Sequence, residues 1–454
     1  MTTLASIEPQ LAEFFAAECE RLNIPGASVG LVHHGEELYV CHGVTNVDDP
    51  QDVTPDTLFG IGSTSKTITA TALMALVEQG VVSLDDLVVD HLPDVPIADP
   101  EVKKTVTVGQ LVDHTAGWVG DATCQTGWGD EALERAIEEM LPVAPQFSAP
   151  GELMSYNNLS FTLVGHLIAT LAGESFEGAA RRLVLDPLGM TNTFYFPWEV
   201  AQRRSAVGHV ASPAGIATEL TWPTMRWLGP AGSVFSSARD QMTYARFHLD
   251  GSAAAAPIND ETRRLMREPR VSVGSSIDGV GVSWLLRTYG RLKLAEHGGN
   301  LSNLQVSAFF LVPDVNLGVT VLANSAGGSQ LGPSIKAKIF ELLLGVGVPE
   351  ALAPIEQPDL NDYLGSYEAG QWDVLVEEKD GRLQFGMLLT NVQDELSEEL
   401  RAVFESTRTQ VFFCGPDVVA PVDAPSVSNA DFIRDSSGRI SHVRQGMRVA
   451  RRRA

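Results

Sequence analysis

A serine and a lysine lie three residues apart at the start of an apolar, helix-patterned run, in the segment Ser63-Thr64-Ser65-Lys66. Residues at positions i and i+3 share one face of a helix, so these two side chains can meet. A serine hydroxyl is a weak nucleophile that needs a neighbouring base. Lys66 can be that base if burial and nearby positive charge keep it neutral. We therefore expect Ser63 to be an activated nucleophile.

The residues around this segment predict a helix that begins at Ser63 and ends at Gly80. The flexible stretch Gly60-Ile61-Gly62 precedes it, and Ser63 is expected to be the helix N-cap. Backbone N–H groups at a helix N-terminus favour a developing oxyanion. The alternative is an N-capping serine followed by a solvated lysine, because S-x-x-K also arises by chance.

A second segment places a tyrosine and an asparagine two residues apart, as Tyr156-x-Asn158, just before an apolar helix over residues 161–171. On an extended segment, residues i and i+2 point the same way, so the phenol and the amide would enter one cleft. The alternative is a turn capped by asparagine.

A third segment, Glu296-His297-Gly298-Gly299-Asn300, precedes two β-rich apolar runs at 306–311 and 318–323 that Pro313-Asp314 joins. This pattern predicts a strand, a turn and a strand. Gly298 and Gly299 lack side chains, which allows the backbone to approach a ligand closely.

Together the three segments resemble the penicillin-recognising serine hydrolases, which include class C β-lactamases, D-stereospecific peptidases and related esterases. The signatures S-x-x-K, Y-x-N and H-x-G occur in family order. The resemblance covers residues 7–345, and the connecting segments also match: 80–86, 111–117 and 186–191. Several segments in one order make the resemblance specific.

The resemblance implies a mechanism in which Ser63 attacks a carbonyl carbon and forms an acyl-enzyme. Lys66 and Tyr156 would share the proton from Ser63, and which of them is the resting base stays open. Asn158 would hold Lys66 and a substrate amide. The backbone N–H groups of Ser63 and Asn300 would form the oxyanion hole, and Gly298 and Gly299 would line the substrate site.

His297 departs from the members that carry lysine at this position, because histidine is mostly neutral near pH 7. Relatives with histidine here are often esterases, D-aminopeptidases or acyltransferases, so a strong β-lactamase is not expected. A structural strand-end histidine is the alternative. For His114 we expect hydrogen bonds that fix the backbone. Trp118, Trp128 and Trp227 suit an acyl pocket or the core equally.

The fold class that these patterns predict is α+β, with an antiparallel sheet flanked by helices and a helical subdomain over residues 1–347. A linker over 348–358 and a small antiparallel β domain over 359–454 follow, with turns at Asp380-Gly381 and Ser437-Gly438. The resemblance suggests a lipocalin-like barrel for this last part.

Arginines cluster near the C-terminus at 444, 448 and 451–453. A solvated tail explains them most simply. The alternative is that Arg448 points from the β domain toward the active site and binds a substrate carboxylate. That arrangement resembles the penicillin-binding-protein-type thioesterases, which release and cyclise nonribosomal peptides.

Composition limits the partners and the location. The net charge of −25 argues against nucleic acid and against anionic membrane surfaces. The four cysteines are scattered, which suggests neither a disulfide framework nor a zinc site, and no cofactor or metal is predicted. The first twenty residues lack the features of a signal peptide, and no run is long enough to span a membrane, so a cytoplasmic location is expected.

The function that the sequence supports is a serine acyl hydrolase that acts through acyl-Ser63 on a peptide-like amide or a small ester. Two alternatives stay open. One is a thioesterase or cyclase in which an amine outcompetes water, with a carrier-bound peptidyl thioester as its substrate. The other is a non-catalytic binding protein on the same fold.

Overall fold

The computed structural model describes residues 2–212, 215–220, 222, 224–253, 255–274, 276–370, 372–389, 408–424 and 430–453. Helices and strands are numbered in chain order. The helices are α1 (Leu4–Arg21), α2 (Ser65–Glu78), α3 (Val88–His91), α4 (Pro100–Thr105), α5 (Val108–Val112), α6 (Ala132–Met140), α7 (Asn158–Ala172), α8 (Phe176–Ala180), α9 (Asp186–Leu188), α10 (Pro197–Val200), α11 (Ala238–Asp250), α12 (Asp260–Leu265) and α13 (Gly328–Ile339).

The strands up to residue 323 form one large antiparallel sheet and two small ones. The large sheet has eight strands in the order β2-β1-β13-β12-β11-β10-β9-β8. Its register pairs Ala27 with Ala323 and Gly299 with Ser307. The strands are β1 (Gly26–His33), β2 (Glu36–Gly43), β3 (Phe59–Gly60), β4 (Thr193–Phe194), β5 (Gly208–Ser212), β6 (Gly215–Glu219), β7 (Phe235–Ser236), β8 (Val271–Ser272), β9 (Gly279–Val280), β10 (Leu285–Tyr289), β11 (Leu292–Leu301), β12 (Gln305–Val312) and β13 (Leu317–Ala323).

Helices cover both faces of the large sheet because its central strands are apolar on both sides. Successive side chains of β12 point to opposite faces: Phe309 packs in the core with α2, α7 and α11, whereas Phe310 packs in the core with α1 and α13. Helix α2 is buried from Ser65 to Leu76. The helix that carries Lys66 is therefore held on all sides.

The C-terminal strands close into a barrel in chain order, from β14 to β21. Strand β14 pairs with β21, so that Tyr367 lies opposite Arg452. The strands are β14 (Gly365–Glu368), β15 (Trp372–Lys379), β16 (Arg382–Leu389), β17 (Arg408–Gly415), β18 (Val418–Pro421), β19 (Ala430–Arg434), β20 (Ile440–Gln445) and β21 (Arg448–Arg452). Together with the helix-covered sheet, the barrel confirms the predicted fold class.

The solvated-tail interpretation of the C-terminal arginines is wrong for residues 448–452, because these residues form the closing strand of the barrel. Arg452 donates from Nη1 and Nη2 to the carbonyl oxygens of Asp362 and Leu364 at 2.8 and 2.7 Å. The division into 1–347, 348–358 and 359–454 stays a prediction. Residues 345–359 form no helix or strand.

Membrane-spanning length and apolarity do not occur together in any single helix of the described ranges. Helix α7 and the segment Phe176–Leu188 meet the criterion only as a pair, and that pair is bent by 80°.

Candidate active site

Ser63 lies in a 3-10 turn, Gly62–Thr64, that leads directly into α2. The expectation that Ser63 is the helix N-cap is wrong: Thr64 precedes α2 and makes no capping bond with its side chain. The Ser65 hydroxyl donates to the carbonyl oxygen of Gly62 at 2.6 Å. The Ser63 hydroxyl instead faces the side chain of Lys66, with 3.1 Å between Oγ and Nζ.

Lys66 is fully buried and its Nζ has three oxygen neighbours. These are Ser63 Oγ at 3.1 Å, Asn158 Oδ1 at 2.7 Å and the Ala231 carbonyl at 2.6 Å. Burial, reinforced by the charge of Arg448, holds the pKa of Lys66 well below its ordinary value. A neutral amine has two N–H donors and one lone pair. The two carbonyl oxygens accept the hydrogens, so the lone pair is left to accept the Ser63 hydroxyl proton.

Tyr156 lies beside this amine, with its ring centroid 4.9 Å from Lys66 Nζ. Its ring is between those of His114 and His297, at centroid distances of 4.6 and 5.9 Å. Burial raises the pKa of the phenol. The phenol oxygen is buried and has no hydrogen-bond partner in the part of the chain that the structure describes. Tyr156 is thus a neutral hydrogen-bond donor in the cleft.

Asn158 is the first residue of α7, and the preceding residue fixes the helix start. The side chain of Asn157 caps the helix by accepting from the backbone N–H of Ser160 at 2.7 Å. This start directs the Asn158 amide oxygen at Lys66, while its amide nitrogen donates to Asp121 Oδ1 at 2.9 Å. The structure therefore brings Tyr156 and Asn158 into one cleft, as their spacing predicts.

Strand β11 packs its backbone directly against the 3-10 turn Gly62–Thr64, which we call the nucleophile turn because it carries the predicted nucleophile Ser63. A Cβ atom at Gly299 would overlap the Ile61 carbonyl oxygen, and one at Gly62 would lie 2.7 Å from the backbone nitrogen of Asn300. Ser307 on β12 secures the contact by donating from Oγ to the Ile61 carbonyl at 2.6 Å. Glycine is required at Gly62 and Gly299 because the backbones of the turn and of β11 can come so close only where neither residue has a Cβ atom. The backbone nitrogen of Asn300 consequently lies beside the nucleophile turn.

His297 is buried in β11, and its neighbour Gly298 is exposed. The distance from His297 Nδ1 to the Gly298 carbonyl oxygen is 2.8 Å. The carbonyl can only accept, which places the imidazole proton on Nδ1 and the lone pair on Nε2. Burial lowers the pKa of His297 to about 3. This histidine is neutral near pH 7 and offers no positive charge to a substrate.

Arg448 reaches this site from the barrel, as the alternative to a solvated tail requires. Its guanidinium forms two hydrogen bonds to the Asp121 carboxylate, one from Nε to Oδ2 and one from Nη2 to Oδ1 at 3.2 Å. The guanidinium carbon lies 5.0 Å from the centroid of the Tyr156 ring. The side chain stays 29% exposed, so a solute can reach it.

The turn between β20 and β21 also fixes the backbone that carries Tyr156. The Tyr156 N–H donates to the Met447 carbonyl at 2.8 Å, and the Val449 N–H donates to Ser155 Oγ at 3.0 Å. Arg444 donates to the Met154 carbonyl at 3.3 Å. The barrel therefore forms one wall of the cleft.

Comparison with known proteins agrees with this geometry. A family model described as Beta-lactamase matches residues 11–344. Penicillin-binding protein 4 of Amycolatopsis lactamdurans is 31% identical over 366 residues, which are 76% of this chain and 93% of that protein. The chain belongs to the beta-lactamase family. The resemblance drawn from the three sequence signatures is confirmed, and with it the membership of a group of serine hydrolases.

Solved structures extend the likeness of this beta-lactamase family member to its barrel. The structure of SurE superposes with a TM-score of 0.77 at 24% identity, over 99% of both chains. The structure of SurE with D-Leu has a TM-score of 0.72 at 23% identity, over 99% of this chain and 100% of that chain. The D-amino acid amidase from Ochrobactrum anthropi SV3 has a TM-score of 0.62 at 22% identity, over 75% of this chain and 98% of that chain. At these identities the likeness shows the fold. SurE shares the two-part architecture.

Several residues of the site were missed by the sequence analysis of this beta-lactamase family member. Ala231 and Met447 take part through carbonyl oxygens, which every residue has, so their type carries no signal. Asp121 lies in a loop that no motif marks. His114 fixes the backbone as expected, because its Nδ1 accepts from the Asn157 N–H at 3.1 Å. Trp118 and Trp227 are buried in the core.

Proposed function

We propose that this protein forms an acyl-enzyme on Ser63 and cleaves an amide or ester bond of a peptide-like substrate. The observation that carries the proposal is the surroundings of Lys66 Nζ: two carbonyl acceptors and the Ser63 hydroxyl, in a buried position. This arrangement leaves the amine lone pair directed at the nucleophile.

Lys66 is the resting base in this proposal, and Tyr156 is the proton carrier. Burial favours the neutral form of both groups, which is a base for lysine and an acid for tyrosine. Ser63 Oγ bonds to the substrate carbonyl carbon as its proton passes to Lys66. The carbonyl oxygen becomes an oxyanion that the N–H groups of Ser63 and Asn300 stabilise, an effect of ~3 kcal/mol per donor.

The tetrahedral intermediate collapses by breaking the bond to the leaving group, which receives its proton from Lys66 through Tyr156. Water then attacks acyl-Ser63 as Lys66 and Tyr156 take one of its protons, and they pass this proton to Ser63 Oγ when the bond between Oγ and the acyl carbon breaks. His297 Nε2 accepts a hydrogen bond from the substrate in this proposal, because this nitrogen is buried and has no partner in the described chain.

Arg448 selects the substrate in this proposal by pairing with a carboxylate. Because His297 and Lys66 are both neutral, Arg448 supplies the positive charge that faces the cleft. A peptide whose carboxylate is close to the scissile bond fits this charge. The names of two structural neighbours, a D-amino acid amidase and SurE with D-Leu, support a D-residue beside that bond.

Acyl transfer to an amine is a second candidate. It is favoured by the C-terminal barrel, which closes beside the cleft and brings Arg448 to it. In this version a carrier-bound peptidyl thioester acylates Ser63, and the free amine of the same peptide displaces it, giving a cyclic product. The penicillin-binding-protein-type thioesterases imply this chemistry, and the lipocalin-like description of the barrel belongs with the same candidate.

Intact-protein mass spectrometry tests the proposal. Wild type and Ser63→Ala are mixed with a short-chain ester, nitrocefin, a D-alanyl amide and a peptidyl thioester that carries a free amine. An adduct on wild type alone establishes the acyl-enzyme, and a linear or cyclic product separates hydrolysis from transfer. No adduct and no turnover with any compound would contradict the proposal and favour a binding protein.

A further inference from the structure

The Asp121 carboxylate connects the catalytic region to the barrel through two different partners. Its Oδ1 accepts from Asn158 Nδ2 at 2.9 Å and from Arg448 Nη2 at 3.2 Å, and its Oδ2 accepts from Arg448 Nε. The Asn158 amide continues to Lys66 Nζ at 2.7 Å. One carboxylate thus lies between the barrel arginine and the amide that contacts the catalytic lysine.

We propose that Asp121 is a positioning residue that fixes the amide of Asn158 with its oxygen toward Lys66 and balances the charge of Arg448 beside that lysine. This inference rests on the proposed acyl-Ser63 chemistry and deepens it.

The orientation of the Asn158 amide follows from the chemistry of its two ends. An amide has one acceptor end and one donor end. A carboxylate only accepts, so Asp121 binds the NH₂ end and leaves the oxygen to Lys66. In the rotated amide an oxygen would face a carboxylate and an NH₂ group would face an N–H donor. Both of these contacts are repulsive, so the rotated amide is disfavoured. Without Asp121 the free-energy cost of the rotation falls, and the lone pair of Lys66 is no longer held toward Ser63.

The charge balance follows from the groups around Lys66. Arg448 lowers the pKa of Lys66 and Asp121 raises it. The other titratable groups that face this amine are neutral near pH 7, because burial lowers the pKa of the two imidazoles and raises that of the phenol: His114, His297 and Tyr156. Removing either member of the Asp121–Arg448 pair therefore exposes Lys66 to the uncompensated charge of the other.

The test follows the rate at which a neutral fluorophosphonate ester labels Ser63, across the pH range in which the protein stays folded. Labelling forms the Ser63 Oγ–phosphorus bond, fluoride leaves, and the hydroxyl proton passes to Lys66. The rate rises with pH as Lys66 loses its own proton. The position of that rise reports the lysine, and the plateau at higher pH reports the alignment of its lone pair.

Asp121→Asn is expected to move the rise to lower pH by about one pH unit and to lower the plateau about tenfold. Arg448→Met is expected to move the rise to higher pH, because Asp121 is then uncompensated. The double variant returns the rise toward wild type but keeps the low plateau. Asp130→Asn is the matched control: this loop carboxylate pairs with Arg226 and is 94% exposed, so its variant follows wild type.

If the labelling rate of Asp121→Asn rises at the same pH as that of wild type, or at a higher pH, the proposed charge balance is wrong. If its plateau rate equals that of wild type, the proposed role in orienting the Asn158 amide is wrong. Thermal unfolding checks that each variant is folded. If Asp121→Asn does not fold, the upward shift in Arg448→Met carries the test. Absence of a Ser63 adduct on wild type would instead contradict the proposed function.

Discussion

The reactivity that we propose for Ser63 depends on a lysine that is kept neutral by its surroundings. Lys66 is buried, close to a guanidinium and bound to two carbonyl oxygens. Burial and the guanidinium favour the free amine over the ammonium form, and the two carbonyl oxygens then orient its lone pair by accepting its hydrogens. The sequence predicts the pair and names burial and positive charge as the requirement. It does not identify Arg448 as the source of that charge, because Arg448 is interpreted there only as a tail residue or as a ligand of a substrate carboxylate.

Tyr156→Phe is expected to lower turnover by about 10² to 10⁴, the usual contribution of a positioned proton donor. The thermal unfolding midpoint should not fall, because the hydroxyl it removes has no hydrogen-bond partner in the described chain. Tyr195→Phe is the matched control, since the Tyr195 hydroxyl is also buried without a described partner but lies outside the site. Near-normal turnover in Tyr156→Phe would refute its role.

Arg448→Ala is expected to raise KM for substrates that carry a carboxylate and to leave KM for neutral esters much less affected. The reason is that its guanidinium is the positive group facing the cleft. Arg453→Ala is the control, because Arg453 pairs with Asp373 in the barrel. Steady-state kinetics on matched acid and ester substrates gives the comparison. An equal rise in KM for both would indicate a loss of structure.

At the scale of elements, the close approach of β11 fixes the backbone nitrogen of Asn300 beside the turn that carries Ser63, where we propose the oxyanion hole. Gly299→Ala is expected to reduce kcat by about a hundredfold, because the added Cβ displaces the Ile61 carbonyl and misplaces Ser63. Gly298→Ala should lose much less, since its Cβ would meet only the Ser307 carbonyl oxygen, at 3.4 Å. Kinetics on both variants decides. If the two variants lost kcat to a similar degree, close packing would not be the reason that position 299 is a glycine.

A buried carboxylate on β11 pairs with two cations and holds this strand against β10 and α13. Glu296 bonds to Arg287 on β10 at 2.7 Å and to Lys336 on α13 at 2.5 Å. Burial alone would raise the pKa of this carboxyl, but the two cations outweigh it and hold the pKa at about 2. The ion pair therefore contributes stability above the unfolded-state pKa, and this contribution is lost as the pH falls toward 2.

Glu296→Gln is expected to lower the free energy of unfolding by about 3 kcal/mol near pH 7, because it leaves two cations without their carboxylate. The difference from wild type should shrink as the pH falls below 4. Denaturant titrations at several pH values measure it. Glu341→Gln is the control, because Glu341 pairs with Lys338 at the surface and should change stability little. A difference that grows at low pH would contradict the assignment.

The elements that the sequence predicts are those with a regular local pattern. Strands β12 and β13 follow the apolar runs at 306–311 and 318–323, and the turns at Asp380-Gly381 and Ser437-Gly438 separate β15 from β16 and β19 from β20. Strand β21 was missed because its arginines hide the alternation, and the small sheet β3-β7-β4 joins two-residue strands that are distant in the chain. The start of α2 was misplaced because the 3-10 turn before it has no signal in residue type.

At the scale of the whole molecule, the barrel is a structural part of the active site. Its interior is filled by aromatic and aliphatic side chains that pack on one another, among them Tyr367, Phe385, Phe413 and Phe432. Its end supplies Met447 and Arg448 to the catalytic region. The barrel thus acts through its turn between β20 and β21.

A chain that ends at residue 347 is expected to label at Ser63 far more slowly than the full chain. Without the barrel, the Tyr156 N–H and Ser155 Oγ lose their partners and Asp121 loses its guanidinium. Circular dichroism and thermal unfolding establish whether the shortened chain is folded, and fluorophosphonate labelling gives the rate. A folded shortened chain that labels at the wild-type rate would show that the barrel does not organise the site.

The position of Met447 and Arg448 late in the sequence has a consequence for biosynthesis. Domains fold in order as the ribosome makes them, so the helix-covered sheet can form while the barrel is still unmade. Ser63 and Lys66 then already meet, but the backbone of Tyr156 and the carboxylate of Asp121 still lack their partners. A nascent chain is therefore expected to stay short of full activity until the turn between β20 and β21 emerges, and a chain that terminates before that turn lacks these partners permanently.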